Sequence, residues 1–353
     1  MKKILSTFLL TSTAILMLGQ SVFTENFEAL NNGNLGTDVT GATAGQNSWY
    51  TLYGSNLDYQ ISTIDALHGK SLVINGYNSF DPTTNSTLNT RIAAKLPTVT
   101  ATAANNILQF KFEFYTGPST GTGTAQMRVF GMDGTVRRTI GGFVYNYATK
   151  VLQGLATANN LVAPTPPATT PALGPTLYTF NFSAAPGLIL TPNTWYTLIY
   201  EYNKTTGVSV WKYPSGSGST PSTSTSYSLI TGMIAQDYYF YNVSSSGNTV
   251  SNQIAFDNIA VQFGNAATLS TSDLAIAVNT EDNITVYPNP VTEILNIKSQ
   301  NKVNSISIVD INGRKINVKD NENQIDVRDL VPGVYLISIE TQQGITTRKF
   351  IKK

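Results

Sequence analysis

Carboxylates, a single imidazole and several clusters of aromatic rings are the side chains of this 353-residue sequence that could do chemistry. Retaining hydrolysis of a glycosidic bond needs two carboxyl groups about 5–5.5 Å apart. On one strand that requires alternating carboxylates, of the form Glu-x-Asp-x-x-Glu, and no such run occurs. Glu113 stands alone between Phe112 and Phe114, and Glu201 alone between Tyr200 and Tyr202. A catalytic pair would have to come from separate strands, Glu113 with Glu201 for instance. A Ser-His-Asp triad would have to use His68, which sits in a turn leading into a strand at residues 71–74 and is expected to serve that turn. With no cysteine there is no disulfide framework, thiolate metal site or cysteine nucleophile, and one histidine gives no basis for a transition-metal site. Calcium asks only for carboxylate, amide and carbonyl oxygens. Asp257, beside Asn258, and Glu25, beside Asn26 and near Glu28, are the candidate calcium ligands.

Holding a sugar without cleaving it takes flat aromatic platforms with amides or hydroxyls at their edges. The rings cluster at Trp49-Tyr50 with Tyr53 and Tyr59, at Trp211 with Tyr213, and at Tyr238-Tyr239-Phe240-Tyr241, with Asn47, Asn56, Asn78 and Asn242 nearby. Trp49, Tyr53, Trp211 and Tyr239 are the glycan-binding candidates. Trp49 leads because it lies in a Gly- and Asn-rich loop, whereas Trp195 begins an alternating strand and is expected in the core.

The elements that must position these groups are strands. Phe110-Lys111-Phe112-Glu113-Phe114 puts three phenylalanines on one face and two charges on the other. Residues 126–130, 178–182, 195–202, 208–213 and 254–263 alternate likewise, and no stretch keeps helical spacing. Residues 156–175 and 214–226, rich in Pro, Ser, Thr, Ala or Gly, are expected to be surface loops. Charge divides the chain: residues 281–353 carry 10 basic and 9 acidic groups, residues 22–280 only 10 and 12. The net charge of +1 provides no global field for nucleic acid. Residues 1–21 place two lysines ahead of a short apolar stretch, the layout of a signal peptide, and no other segment approaches membrane-spanning length. The expected division is 1–21 signal peptide, 22–265 passenger, 266–283 linker and 284–353 C-terminal module.

In that module, Val286-Tyr287-Pro288-Asn289-Pro290 is followed by Ile294-Leu295-Asn296-Ile297, then residues 306–314 ending Asp310-Ile311-Asn312-Gly313-Arg314. Leu330-Val331-Pro332-Gly333-Val334-Tyr335 and Arg348-Lys349-Phe350-Ile351-Lys352-Lys353 complete the pattern. It resembles the type A C-terminal sorting domain of the type IX secretion system of Bacteroidetes. The motif positions are Pro288, Asn289, Pro290, Asp310, Gly313, Arg314, Gly333, Tyr335 and Lys349. The resemblance implies a small Ig-like sandwich and passage by the general secretory route to the periplasm. It further implies recognition by an outer-membrane translocon, then removal by a surface sortase with attachment to lipopolysaccharide, or release.

The passenger is similar, more loosely, to the concanavalin A-like (laminin-G-like) jelly roll of lectins and carbohydrate-binding modules. The similarity lies in Phe23-Thr24-Glu25-Asn26-Phe27-Glu28, in residues 195–203 and in Ala255-Phe256-Asp257-Asn258-Ile259-Ala260-Val261. The fold class expected is all-β, a lectin-like jelly-roll sandwich followed by the Ig-like one. The function expected is a secreted or cell-surface protein whose passenger binds a polysaccharide or surface component without catalysis. Its alternatives are a jelly-roll polysaccharide-degrading enzyme and a structural surface protein with no small ligand.

Overall fold

The computed structural model describes residues 19–66, 68–84, 86–162, 173–266, 269, 285–299, 302–310, 315–316, 319–321, 324–341 and 344–353. Residues 1–18 of the expected signal and nearly all of the expected linker lie outside them, while Gln20 and Ser21 of that signal belong to the first strand. Two compact units divide the chain, Met1–Ala266 and Ala267–Lys353.

The first unit begins β1 (Gln20–Glu25), β2 (Gly33–Asn34), β3 (Trp49–Leu52), β4 (Tyr59–Thr63), β5 (Lys70–Asn75) and β6 (Thr90–Lys95). It continues β7 (Ile107–Tyr115), β8 (Gly123–Asp133), β9 (Val136–Asn146), β10 (Val151–Asn160), β11 (Gly174–Asn181) and β12 (Leu188–Ile189). It closes with β13 (Trp195–Asn203), β14 (Ser209–Tyr213), β15 (Gly216–Ser219), β16 (Tyr227–Leu229), β17 (Ile234–Ser244) and β18 (Gln253–Gly264). Sheet A has nine strands in the order β15-β14-β13-β7-β18-β5-β4-β2, with β1 also on β18. Sheet B has nine in the order β11-β10-β9-β8-β17-β6-β3, with β12 and β16 on β10. The ladders are antiparallel. This is the jelly-roll sandwich the alternation predicts.

Its core forms where the two sheets turn their apolar faces together. Phe110, Phe112 and Phe114 of β7 are fully buried. Phe110 meets Tyr238 and Phe240 of β17 at centroid distances of 5.4 and 5.7 Å, edge to face. Each such ring contributes about 1.5–3 kcal/mol by burial alone. The expected loops at 156–175 and 214–226 are corrected in part: β10 runs to Asn160, β11 starts at Gly174, and β15 spans Gly216–Ser219. Ala156 and Ala158 are small residues that are still buried, and β15 pairs with β14 from Gly216 to Ser219.

The second unit has β19 (Thr285–Tyr287), β20 (Ile294–Lys298), β21 (Val303–Asp310) and β22 (Lys315–Ile316). β23 (Lys319–Asn321), β24 (Gln324–Asp326), β25 (Gly333–Thr341) and β26 (Gly344–Lys352) follow. They form two four-stranded sheets, β19-β20-β24-β23 and β22-β21-β25-β26, around Leu295, Ile308, Ile325, Ile337 and Phe350. This is the small Ig-like sandwich.

In the first unit, Gly154 of β10 lies under the indole of Trp211, where an added Cβ would come within 2.4 Å of Cε2. Gly154→Ala is therefore expected to lower stability by about 1–3 kcal/mol in a urea titration. An unchanged midpoint would mean that the ring has room to yield.

Candidate functional site

The outer face of sheet A gathers acid groups from distant segments. In the β7–β18 ladder Glu113 stands opposite Asp257, which puts both on the face away from the phenylalanines. The register breaks there as a bulge, and Asn258 takes a left-handed φ of 46°. Asn258 Nδ2 donates to Glu113 Oε2 at 2.7 Å, and its backbone N–H donates to Asp257 Oδ1 at 2.7 Å. His68 Nε2 lies 3.6 Å from Glu113 Oε2, while Nδ1 lies 2.9 Å from Asp65 Oδ1. The imidazole stacks on Trp195 with centroids 4.2 Å apart, and Trp195 Nε1 donates to Asp65 Oδ2. Trp195 is thus outside the core. Its strand alternates as expected but in the opposite phase, with Leu198, Tyr200 and Tyr202 inward.

The facing carboxylates are buried, whereas the Asp65 side chain is 38% exposed and that of His68 18%. Asp257 is 2% exposed and Glu113 9%. The pair suggested by sequence, Glu113 with Glu201, is not assembled: Glu113 faces Thr197 across β13, and Glu201 faces Gln109 four positions away. Glu201 Oε1 is engaged by Lys212 Nζ and Gln109 Nε2, both at 2.9 Å. The two calcium candidates come near each other through the β1–β18 ladder, and each already accepts protein hydrogen bonds. Glu25 accepts from Trp49 Nε1, Asn47 Nδ2 and the Phe27 amide. Among the described residues no group of three or more His, Cys, Asp or Glu side chains is placed to hold a metal.

Two aromatic candidates are corrected. Trp49 opens β3 instead of lying in the loop, and it is fully buried against Phe27 and Phe240. Positive φ at Asn47 and Ser48 turns the loop inward just before it. Trp211 is 1% exposed, packed on Phe180 and Phe182 with Nε1 donating to Gly142 O. Neither offers a ring face to solvent. Gly117-Pro118-Ser119-Thr120-Gly121 spells a nucleophile-elbow pattern that the sequence reading passed over. Ser119 has φ 48° but is 1% exposed, and its Oγ donates to Thr116 O and accepts from Tyr145 OH, with no histidine beside it. It closes a turn.

The outer face of sheet B is different. Tyr238 and Phe240 point into the core, so Tyr239 and Tyr241 point out, and β8 sets Gln126, Arg128 and Phe130 beside them. Tyr239 lies 4.9 Å from Phe130 and stacks with Tyr241 at 6.0 Å. Arg137 sits 4.3 Å from the Phe130 centroid and 5.1 Å from that of Tyr239, tied to Asp237 Oδ2 at 2.8 and 2.9 Å. Arg128 sits 5.2 Å from the Tyr241 centroid, and burial lowers its pKa. Arg128 Nε and Gln126 Oε1 are buried without a hydrogen-bond partner. Tyr53 is 36% exposed. The structure therefore separates the four aromatic candidates, with Tyr239 on this face, Tyr53 exposed, and Trp49 and Trp211 in the core. Sequence reasoning missed Arg128 and Phe130. The signal was there, since Ala125, Met127 and Val129 take the core side of the same alternation.

Burial, helped by the charges of Glu113, Glu28 and Glu25, pushes Asp257 from 3.8 up to about 8, against the pull of the Asn258 amide. The folded state thus holds a proton that the unfolded chain releases, so stability falls as pH rises between those two values. Thermal unfolding across that range is expected to show the decline, and Asp257→Asn to flatten it. A variant with the parent's pH slope would remove Asp257 as its source.

In the second unit, exposed Pro288, Asn289 and Pro290 follow β19 and hold the last strand. Asn289 Oδ1 accepts from the Ile351 amide at 2.9 Å, and Val291 exchanges backbone bonds with Ile351 and Lys353. Tyr335 stacks on Phe350 at 5.5 Å and donates to Val331 O, Gly333 pairs with Lys352, Asp310 with Tyr335 and Lys349 with Leu336. Gly313 and Arg314 lie outside the described residues. No described helix is long and apolar enough to cross a membrane. No curated protein matches the chain. Among solved structures, alginate lyase vAL-1 from a Chlorella virus is similar at 9% identity over 66% of this chain and 99% of its own, with a TM-score of 0.42. A carbohydrate esterase of the Shiga toxin-encoding bacteriophage phi24B is similar at 13% identity over 67% and 100%, with a TM-score of 0.38. Alginate lyase A1-II', of polysaccharide lyase family 7, shows 13% identity over 60% and 86%, with a TM-score of 0.37. Residues 285–353 match the family described as the secretion system C-terminal sorting domain. By that match and by the clasp of its motif on the final strand, this unit is a type IX sorting domain, and the chain that carries it is sent to the cell surface or beyond.

Proposed function

We propose that the passenger is a non-catalytic, adhesin-like module that binds a polysaccharide along the outer face of sheet B. One observation carries this reading: Phe130, Tyr239 and Tyr241 form a ring band outside the core, flanked by two guanidinium groups. Stacked rings take the C–H faces of sugars, and amides and guanidinium groups meet their oxygens. The carboxylates that an enzyme would need are buried or paired on the opposite sheet.

Binding of the purified full chain to a polysaccharide panel tests the reading. Tyr239→Ala and Tyr241→Ala are each expected to weaken binding about tenfold, ~1.4 kcal/mol, while no reducing ends or unsaturated products accumulate. Product release that persists in these variants but vanishes in Glu113→Gln would favour the enzyme. In cells, removal of residues 285–353 is expected to leave the passenger in the periplasm, as fractionation would report; equal surface delivery without them would contradict the export route.

A further inference from the structure

We infer that the polysaccharide held on the outer face of sheet B is anionic, with its carboxylate or sulfate groups received by Arg128. This rests on the reading that the face binds polysaccharide, and it adds the class of sugar.

The passenger has four arginines, and three of them meet a carboxylate. Arg91 pairs with Asp58 at 2.7 Å, Arg137 with Asp237 at 2.8 Å and Arg138 with Asp133 at 3.0 Å. Arg128 forms no ion pair or hydrogen bond with any described residue, and its protein partner is the Tyr241 ring at 5.2 Å. A desolvated charge without a counter-charge is costly, and proteins ordinarily pair it. Here the fold keeps it unpaired on a solvent-facing sheet, in the middle of a ring band. The position opposite Arg128 on β9 is Gly142, at φ +145°, so no side chain from that position fills the space beside the guanidinium.

The second orphaned atom fits the same ligand. Gln126 Oε1 is a buried acceptor with no donor, two residues from Arg128 on one face of β8, a separation of about 7 Å. An unfilled acceptor beside an unfilled cationic donor is complementary to a sugar that carries a hydroxyl and an acid group. A neutral sugar would leave the charge unanswered. The rings of Tyr239 and Tyr241, tilted 26° to each other, lie beside both atoms and supply the stacking surface. Arg137 does not compete for the anion, because Asp237 already neutralises it.

The test uses the full chain against three polymers of matched length: a polyuronate, a sulfated galactan and a neutral glucan. The charged polymers are expected to bind at least tenfold more tightly than the glucan, with an affinity that falls as salt is raised. The preferred charged polymer says whether carboxylate or sulfate is read. Arg128→Gln is expected to remove that preference, and Arg128→Lys to restore part of it without the planar fork. With no ligand, Arg128→Gln is expected to unfold no earlier than the parent, so loss of binding cannot be laid to misfolding. Equal affinity for the glucan, or an Arg128→Gln variant that keeps the preference, overturns the anionic assignment while Tyr239→Ala still reports on the site. If no polymer binds, the site reading and the assignment fall together.

Discussion

The packing of β7 against β17 is the constraint from which the rest of the passenger follows. Phe110 and Phe112 can meet Tyr238 and Phe240 ring to ring only if both strands are held in one register. A strand has two faces, so committing residues 238 and 240 to the core commits 239 and 241 to the outside. The same rule sends Glu113 outward from β7, to the face where Asp257 stands. Both outer surfaces are by-products of one apolar clasp between the sheets.

Much of this was legible in the sequence because alternation is a local property. The strands at residues 110–114, 126–130, 195–202 and 254–263 lie within β7, β8, β13 and β18. The tail was legible from its motifs, and the family match and the two small sheets agree with them. What alternation does not fix is phase. Trp195 and Tyr196 are neighbours on a strand that could turn either way, and only pairing with β7 settles that Trp195 lies outside. Trp49 misled through its surroundings, because a loop rich in Gly and Asn ends one residue before a core strand begins.

Long-range pairing hid the remainder. Glu113 and Asp257 are far apart in sequence and become neighbours only through the β7–β18 ladder. A carboxyl that keeps its proton near neutrality is invisible in composition, where it counts as one more negative charge. The lack of an ion pair at Arg128 among the described residues is equally non-local, since it is defined by what the neighbouring strands do not supply. The Gly-x-Ser-x-Gly pattern at residues 117–121 makes the converse point, because a motif without its neighbours is only a turn.

The two outer surfaces are built from different chemistry. On sheet A, Lys212, Glu201, Gln109 and Gln262 bond one another in a row, and Asp65, His68, Glu113 and Asn258 form a second closed chain. On the outer face of sheet B, Arg128 Nε and Gln126 Oε1 are buried without a partner, and on sheet A Ser71 Oγ of β5 is as well. If the outer face of sheet B binds as proposed, its single band of rings makes each copy univalent toward a long polymer. On that proposal one copy would not bridge two chains, and firm holding would come from many copies grasping the same fibre.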